Sequence, residues 1–113
     1  MQVMYPGHRY KLDHLDGSDT TILQFVQRAP HHKPQEGVTS QEVLRALIDR
    51  VRTLNMEVLW DGNFEIIKHL QTALALFETR AILRKVKKGE LAIEDVKIDP
   101  RDGHIALEVT ADG

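Results

Sequence analysis

The sequence predicts an α+β protein, in which a long antiparallel αα-hairpin is flanked by short N- and C-terminal β-hairpins and assembles as a homo-oligomer. Three observations support this fold class. Residues 1–36 contain β-type runs and turn signals, residues 38–89 repeat apolar positions with helical period, and residues 93–110 contain a second pair of β-type runs. At 113 residues, the chain is expected to form a single domain.

The N-terminal β region and its loop occupy residues 1–36. The runs YKLDHL and TTILQFV have strand-like composition, and DGSD between them contains the Asp-Gly turn signal. We therefore expect a hairpin with a four-residue connection. Pro30, Pro34 and Gly37 then indicate a polar loop before the helical region.

The first helix has an unusually complete start signal in GVTSQEVLRALIDRVRTLN. Thr39 suits the N-cap and Glu42 falls at N3, which makes a capping box, while Val38 and Val43 can form a hydrophobic staple. Apolar residues then recur at amphipathic spacing. They are Val43, Leu44, Leu47, Ile48, Val51 and Leu54.

The second helix is expected over FEIIKHLQTALALFETRAILRKVKK. The chain turns at Asp61-Gly62, either Asn63 or Asp61 caps the helix, and Gly89 ends it in the C′ position. The short connection predicts that the two helices lie antiparallel. The run ALALF is apolar on every side of the helix, so another subunit is expected to cover the remaining face, unless the N-terminal hairpin does so.

The C-terminal hairpin is predicted from VKIDPRDGHIALEV. Two β-type runs flank DPRDG, in which Pro100 suits the first central position of a turn and Gly103 suits a positive φ.

Composition limits the function classes. A formal net charge of −2 argues against a whole-surface DNA binder. The chain has no cysteine, which excludes disulfides and thiolate metal sites. No apolar run reaches the ~20 residues that span a membrane, and the N-terminus lacks a secretory core, so we expect a cytoplasmic protein.

Catalytic motifs are absent from the sequence: there is no Gly-rich phosphate loop, no His-Glu-x-x-His and no Gly-x-Ser-x-Gly. The histidines are dispersed, and Asp13, Asp16 and Asp19 lack the spacing of a calcium loop. We therefore predict that the protein is not an enzyme and has no catalytic residues, metal ligands or cofactor.

The segment RAILRKVKKGE, residues 80–90, is the strongest local charge feature. Its lysines, Lys85, Lys87 and Lys88, are interpreted as complements to the helix dipole. Arg80 and Arg84 lie four residues apart on one helix face, shortly after Phe77. An aromatic ring and two guanidinium groups at this spacing suit a stacked base and its phosphates.

Two segments carry a family resemblance. EGVTSQEVLRALIDRVRTLN followed by NFEIIKHLQTALALFETRAILRKVKKGE resembles the anti-Thoeris and anti-CBASS hairpin domain of small phage proteins. The chain departs from that family after the basic run, where it reads KKGELAIEDV instead of a Val-Glu-Gly-type ending. The matched residues are Gly37, Thr39, Glu42, Val43, Leu44, Leu47, Ile48, Asp49, Arg50, Asn63, Ile67, Leu70, Ala73, Leu74 and Arg80.

The resemblance implies a sponge that binds cyclic nucleotide immune messengers, such as cyclic ADP-ribose isomers and cyclic di- or trinucleotides, without cleaving them. It also implies a homo-oligomer, often a hexamer, with pockets between subunits. The implied ligand-binding residues are Arg50, Asn63, Phe64, Phe77, Arg80, Arg84, Arg101 and His104, with Trp60 as a further stacking candidate. The alternatives are a helical oligomeric regulator that binds a protein partner and no nucleotide, and a hydrolase of the same nucleotides.

Overall fold

The computed structural model describes residues 1–27, 36–87, 89, 96–98 and 105–107. They belong to two compact units, Met1–Ser40 and Gln41–Gly113. The predicted turn around Pro100 and Gly103, together with Arg101 and His104, lies outside the described residues, as do Pro30 and Pro34.

The first unit contains a three-stranded antiparallel sheet, with β1 (Gln2–Tyr5), β2 (Arg9–Asp13) and β3 (Thr20–Gln24) in the order β1-β2-β3. The predicted hairpin corresponds to β2 and β3, but its connection spans residues 14–19 instead of the four residues of DGSD. The sequence did not predict β1, because all four of its residues are exposed and no alternation of burial marks it.

The β2–β3 connection is held by Asp16. Its carboxylate accepts hydrogen bonds from the hydroxyl of Ser18 at 2.6 Å and from the backbone N–H of Ser18 at 2.9 Å. These bonds, the hydroxyl first, hold the pKa of the Asp16 carboxyl below its ordinary value of 3.8. The ionised carboxylate therefore favours this turn conformation.

The second unit contains two helices, α1 (Ser40–Glu57) and α2 (Gly62–Lys87). These bounds place Thr39 at the N-cap position of α1 and Asp61 at the N-cap position of α2, so Asn63 lies inside the first turn. Gly89 has a φ of 73°, as expected for the glycine that follows a helix end. The predicted limits of both helices are thus correct to within a few residues.

Side-chain bonds show that α1 and α2 are antiparallel. Near the connection, the side-chain amide of Asn63 donates to the side-chain oxygen of Asn55 at 2.9 Å. Farther along the helices, the Arg45 guanidinium donates to the Glu78 carboxylate. Moving from 55 back to 45 on α1 therefore corresponds to moving forward from 63 to 78 on α2. This pairing is the αα-hairpin that the short connection predicts.

The hairpin core is small. Among the described residues, the buried hydrophobic side chains are Ile48 on α1 and Leu74 and Ile82 on α2. Glu78 is also buried, with 9% of its surface exposed. Its burial is explained by the ion pair with Arg45, which also bonds Glu42 at 2.7 Å.

A short two-stranded antiparallel ladder, β4 (Val96–Ile98) and β5 (Ile105–Leu107), corresponds to the predicted C-terminal hairpin. The backbone of β5 comes close to α2. The architecture therefore agrees with the α+β class. Neither described helix has an apolar stretch long enough to cross a membrane.

Replacing Arg45 with alanine is expected to lower the free energy of unfolding by about 2 kcal/mol, because the buried Glu78 carboxylate loses a charged donor. Urea unfolding followed by circular dichroism measures this change. Arg50→Ala, which removes an exposed arginine from the same helix, is the matched control and should change stability by less than about 0.5 kcal/mol. Equal losses for the two variants would contradict the assignment.

Replacing Ser18 with alanine should raise the pKa of the Asp16 carboxyl towards its ordinary value, since the hydroxyl is the largest cause of the shift. The lowered pKa in the folded protein means that the turn is stabilised above pH 3.8 and loses that contribution as the pH falls through the lowered value. An NMR titration of the carboxyl carbons measures the change. The Asp13 carboxyl, whose pKa is lowered by the N-terminal ammonium group, serves as internal control and should not move.

Candidate functional site

A shallow recess of about 370 Å³ runs along the C-terminal half of α2. Its lining positions recur every three or four residues, so they share one face of the helix. The described lining residues are Leu76, Thr79, Arg80, Leu83, Arg84 and Lys87.

The recess faces away from the hairpin core. Helical spacing places Leu76 and Leu83 about half a turn from the buried Glu78 and Ile82. Leu76 is 66% exposed and Leu83 is 56% exposed, which is high for leucines of a folded helix. The recess therefore combines an uncovered apolar floor with a rim of cationic side chains.

Three cations define the electrostatics of the recess. Arg80, Arg84 and Lys87 are exposed, and no described residue forms an ion pair or a hydrogen bond with their side chains. Two guanidinium groups four residues apart can each donate two parallel bonds to a phosphate, and the lysine adds a third positive charge. The sequence prediction that Arg80 and Arg84 share one face holds in the structure.

The other predicted residues that the structure describes are distributed along the hairpin. Phe77, 36% exposed, lies on α2 three positions before Arg80 and is not among the described residues that line the recess, whereas Arg50 is exposed on α1. Phe64 lies twenty positions before Arg84, about 30 Å along the helix, so one small ligand cannot contact both within a single copy. The Asn63 side-chain amide donates one hydrogen bond to the side-chain oxygen of Asn55.

One arginine of α1 is engaged within the hairpin. The Arg45 guanidinium pairs with the carboxylates of Glu42 and Glu78. The cause is the register of the hairpin, which brings α1 and α2 side chains together and cannot be read from either helix alone. Arg50 is exposed and stays a candidate.

Trp60 occupies a defined place in the connection between the helices. A Cβ atom built on Gly62 would lie 2.3–2.6 Å from carbons of the Trp60 ring, so the indole packs directly against this glycine. The backbone N–H of Trp60 donates to the Asn55 side chain at 3.2 Å. The ring is nevertheless 63% exposed.

Sequence reasoning missed an apolar patch around this connection, which we call the hairpin tip. Its members are exposed hydrophobic residues flanked by the acids Glu57, Asp61 and Glu65. The available signal was a run of large apolar residues in a segment otherwise interpreted only as a turn. The hairpin tip comprises Met56, Val58, Leu59, Trp60 and Phe64.

Within the described part of the chain, no group of three or more His, Cys, Asp or Glu side chains is arranged to hold a metal ion. When the chain is compared with protein-family models, with curated proteins and with solved structures, nothing matches it. The recess and the hairpin tip are therefore the described features that bear on function.

Replacing Gly62 with alanine should displace the Trp60 ring and destabilise the hairpin by about 1–3 kcal/mol, because the new methyl group overlaps the indole. Thermal unfolding and the emission of the only tryptophan in the chain report both effects. In a Trp60→Ala background the same change should be neutral or stabilising, since alanine is the better helix former. Equal destabilisation in both backgrounds would show that the ring contact is not the cause.

Proposed function

We propose that this protein binds cyclic nucleotide immune messengers and sequesters them without cleavage, as a homo-oligomer that counters anti-phage signalling in the host cytoplasm. The observation that carries the proposal is the juxtaposition of Arg80 and Arg84 over the exposed leucines of the recess. Such a surface matches a ligand with phosphates and a flat, poorly hydrated base. The resemblance of both helices to nucleotide sponges supports the same class of ligand.

The recess suggests how such a ligand would be held. Its phosphates would accept paired hydrogen bonds from the Arg80 and Arg84 guanidinium groups, while Lys87 would add a third positive charge. Its base would contact Leu76 and Leu83, or stack on Phe77. The ligand's negative charges would thereby be neutralised where no described carboxylate lines the recess.

The nucleotide affinity that sequestration requires favours an assembly of several copies. Nanomolar capture requires about 12 kcal/mol. An open recess on one helix face leaves much of a ligand in water, whereas small-molecule sites usually bury most of the ligand surface. We therefore expect a second copy to complete the pocket, and the resemblance implies a hexameric assembly.

Sequestration also agrees with the chemistry of the recess. Its described lining consists of two leucines, a threonine and three cations, a set without a carboxylate or a histidine that could act as general base. A sponge needs slow release and no turnover. The residues that we place at the ligand provide charge and apolar contact, which is sufficient for that role.

The hairpin tip favours the second candidate function, a regulator that binds a protein partner and no nucleotide. Leu59 is 80% exposed and lies beside Trp60, and exposed aromatic and aliphatic side chains of this kind are typical anchors of protein interfaces. The two candidates differ in which end of α2 carries the function. Variants at the tip and in the recess therefore separate them.

Isothermal titration with a panel of cyclic ADP-ribose isomers and cyclic di- and trinucleotides tests the proposal. We expect nanomolar binding of at least one member, recovery of that ligand intact after heating, and a loss of at least ~10-fold in affinity for Arg80→Ala and for Arg84→Ala. Lys85→Ala is the matched control, because Lys85 is a neighbouring exposed cation outside the recess lining.

No binding of any panel member at micromolar protein would overturn the sponge. Release of a cleaved product would instead support a hydrolase. If Leu59→Ala and Trp60→Ala abolish capture of a host protein while the arginine variants retain it, the regulator is supported.

A further inference from the structure

A stripe of residues follows the outward face of α2 along most of the helix and shares its C-terminal members with the recess. Its positions alternate in steps of three and four residues, the spacing that keeps one seam of a helix facing a partner helix. Its large apolar members are all exposed. The α2 stripe consists of Ile66, His69, Ala73, Leu76, Arg80, Leu83 and Lys87.

Charge is separated along this face. The acids Asp61 and Glu65 lie at the N-terminal end of α2, and the cations Arg84 and Lys87 lie at the C-terminal end. Glu65 is exposed, and its Oε2 lies 3.9 Å from Nε2 of the His69 side chain one turn along the helix. The N-terminal end of α2 therefore presents negative charge that can pair with a cation of another molecule.

We propose that the α2 helices of two copies pair antiparallel through the α2 stripe, about a two-fold axis that passes between positions 74 and 75. In this register Ile66 of one copy is level with Leu83 of the other, and Ala73 is level with Leu76. His69 is level with Arg80. The same axis brings Glu65 level with Arg84 and one turn from Lys87, so the acidic end of each helix lies alongside the basic end of the other.

The opposite orientation is disfavoured by the same residues. A parallel, in-register pair would place Arg80 against Arg80 and Lys87 against Lys87, while leaving the Glu65 carboxylates together. Like charges at one level repel, and parallel helix dipoles repel as well. The apolar residues would match in either orientation, so the charges select the antiparallel one.

The pairing also supplies the second half of the recess. Arg80 occupies a seam position, and the residue level with it is His69 of the second copy, which offers no carboxylate. A guanidinium group removed from water requires a negative partner, and a phosphate between Arg80 and His69 would provide it. This last step rests on the proposed function, whereas the pairing rests on the α2 stripe and on the charges at the two ends of α2. A phosphate between Arg80 and His69 at each end of the two-fold pair would give two equivalent anion positions.

Cross-linking of single-cysteine variants tests the pairing, because the natural chain contains no cysteine. Ile66→Cys and Leu83→Cys are purified separately and treated with a short bis-maleimide, alone and as an equal mixture. In an antiparallel pair the two like positions are about 25 Å apart, so neither variant should link to itself, while the mixture should give a dimer. Lys85→Cys, mixed with either variant, is the off-stripe control and should not link.

Self-linking of both single variants would show a parallel pair and overturn the proposal. No linkage in the mixture would also overturn it, provided that sedimentation velocity of the unmodified chain at the same concentration gives the mass of a monomer. Linkage of the mixture supports it.

A charge exchange gives an independent test. Glu65→Lys and Arg84→Glu should each weaken dimerisation at least ~10-fold in sedimentation equilibrium, since each brings like charges together at both ends of the pair. The double variant restores opposite charges and should recover most of the affinity. A double variant that is as weak as the sum of the singles would overturn the register. Circular dichroism confirms that each variant remains helical.

The outcomes separate this inference from the proposed function. If the mixture links and no nucleotide binds, the pairing stands and the sponge falls. If a nucleotide binds through Arg80 and the mixture does not link, the pairing falls and the sponge stands. If both hold, His69→Ala should weaken nucleotide binding at least ~3-fold in a pair that is cross-linked through Ile66→Cys and Leu83→Cys; an unchanged affinity would remove His69 from the site.

Discussion

The ion pair between Arg45 and Glu78 determines how α2 is rotated about its own axis. A helix can bury only one face against a single partner helix, and a carboxylate enters that face only where a cation meets it. With Glu78 held towards α1, helical geometry turns Leu76, Leu83 and the cations between them outward. The recess on α2 thus consists of residues that the packing of α2 against α1 leaves exposed.

This arrangement gives α2 a buried face and an exposed face. The inward face contains Leu74 and Ile82 and stabilises the hairpin, while the outward face combines apolar side chains with cations that no described residue pairs. The three hydrophobic residues that are buried in the described part of the chain make a thin core, so covering Leu76 and Leu83 would add apolar burial. The proposed ligand capture and the proposed self-association would both use this exposed area, and they would meet at Arg80.

The sequence was sufficient to place both helices and the β2–β3 hairpin, although the predicted four-residue connection of that hairpin is wrong. The N-cap positions of Thr39 and Asp61 and the glycine at position 89 delimit both helices, while loose alternation predicted β2 and a β-branched and aromatic composition predicted β3. What it could not supply was set by contacts between elements. Strand β1 is defined by its partner and not by its own composition. Likewise, the inward rotation of Glu78 and the bond from Asn63 to Asn55 depend on the register between α1 and α2.

For the proposed pair, the separation of charge along α2 would also affect how quickly two copies find each other. Asp61 and Glu65 at one end and Arg84 and Lys87 at the other give each hairpin a side-chain dipole that opposes the backbone dipole of the helix. Two such molecules experience a torque before they touch, which turns them head to tail during their diffusional approach. Raising the ionic strength would then lower the association rate, because salt screens the charges that orient the two molecules. At low ionic strength this orientation would begin before any apolar surface is buried.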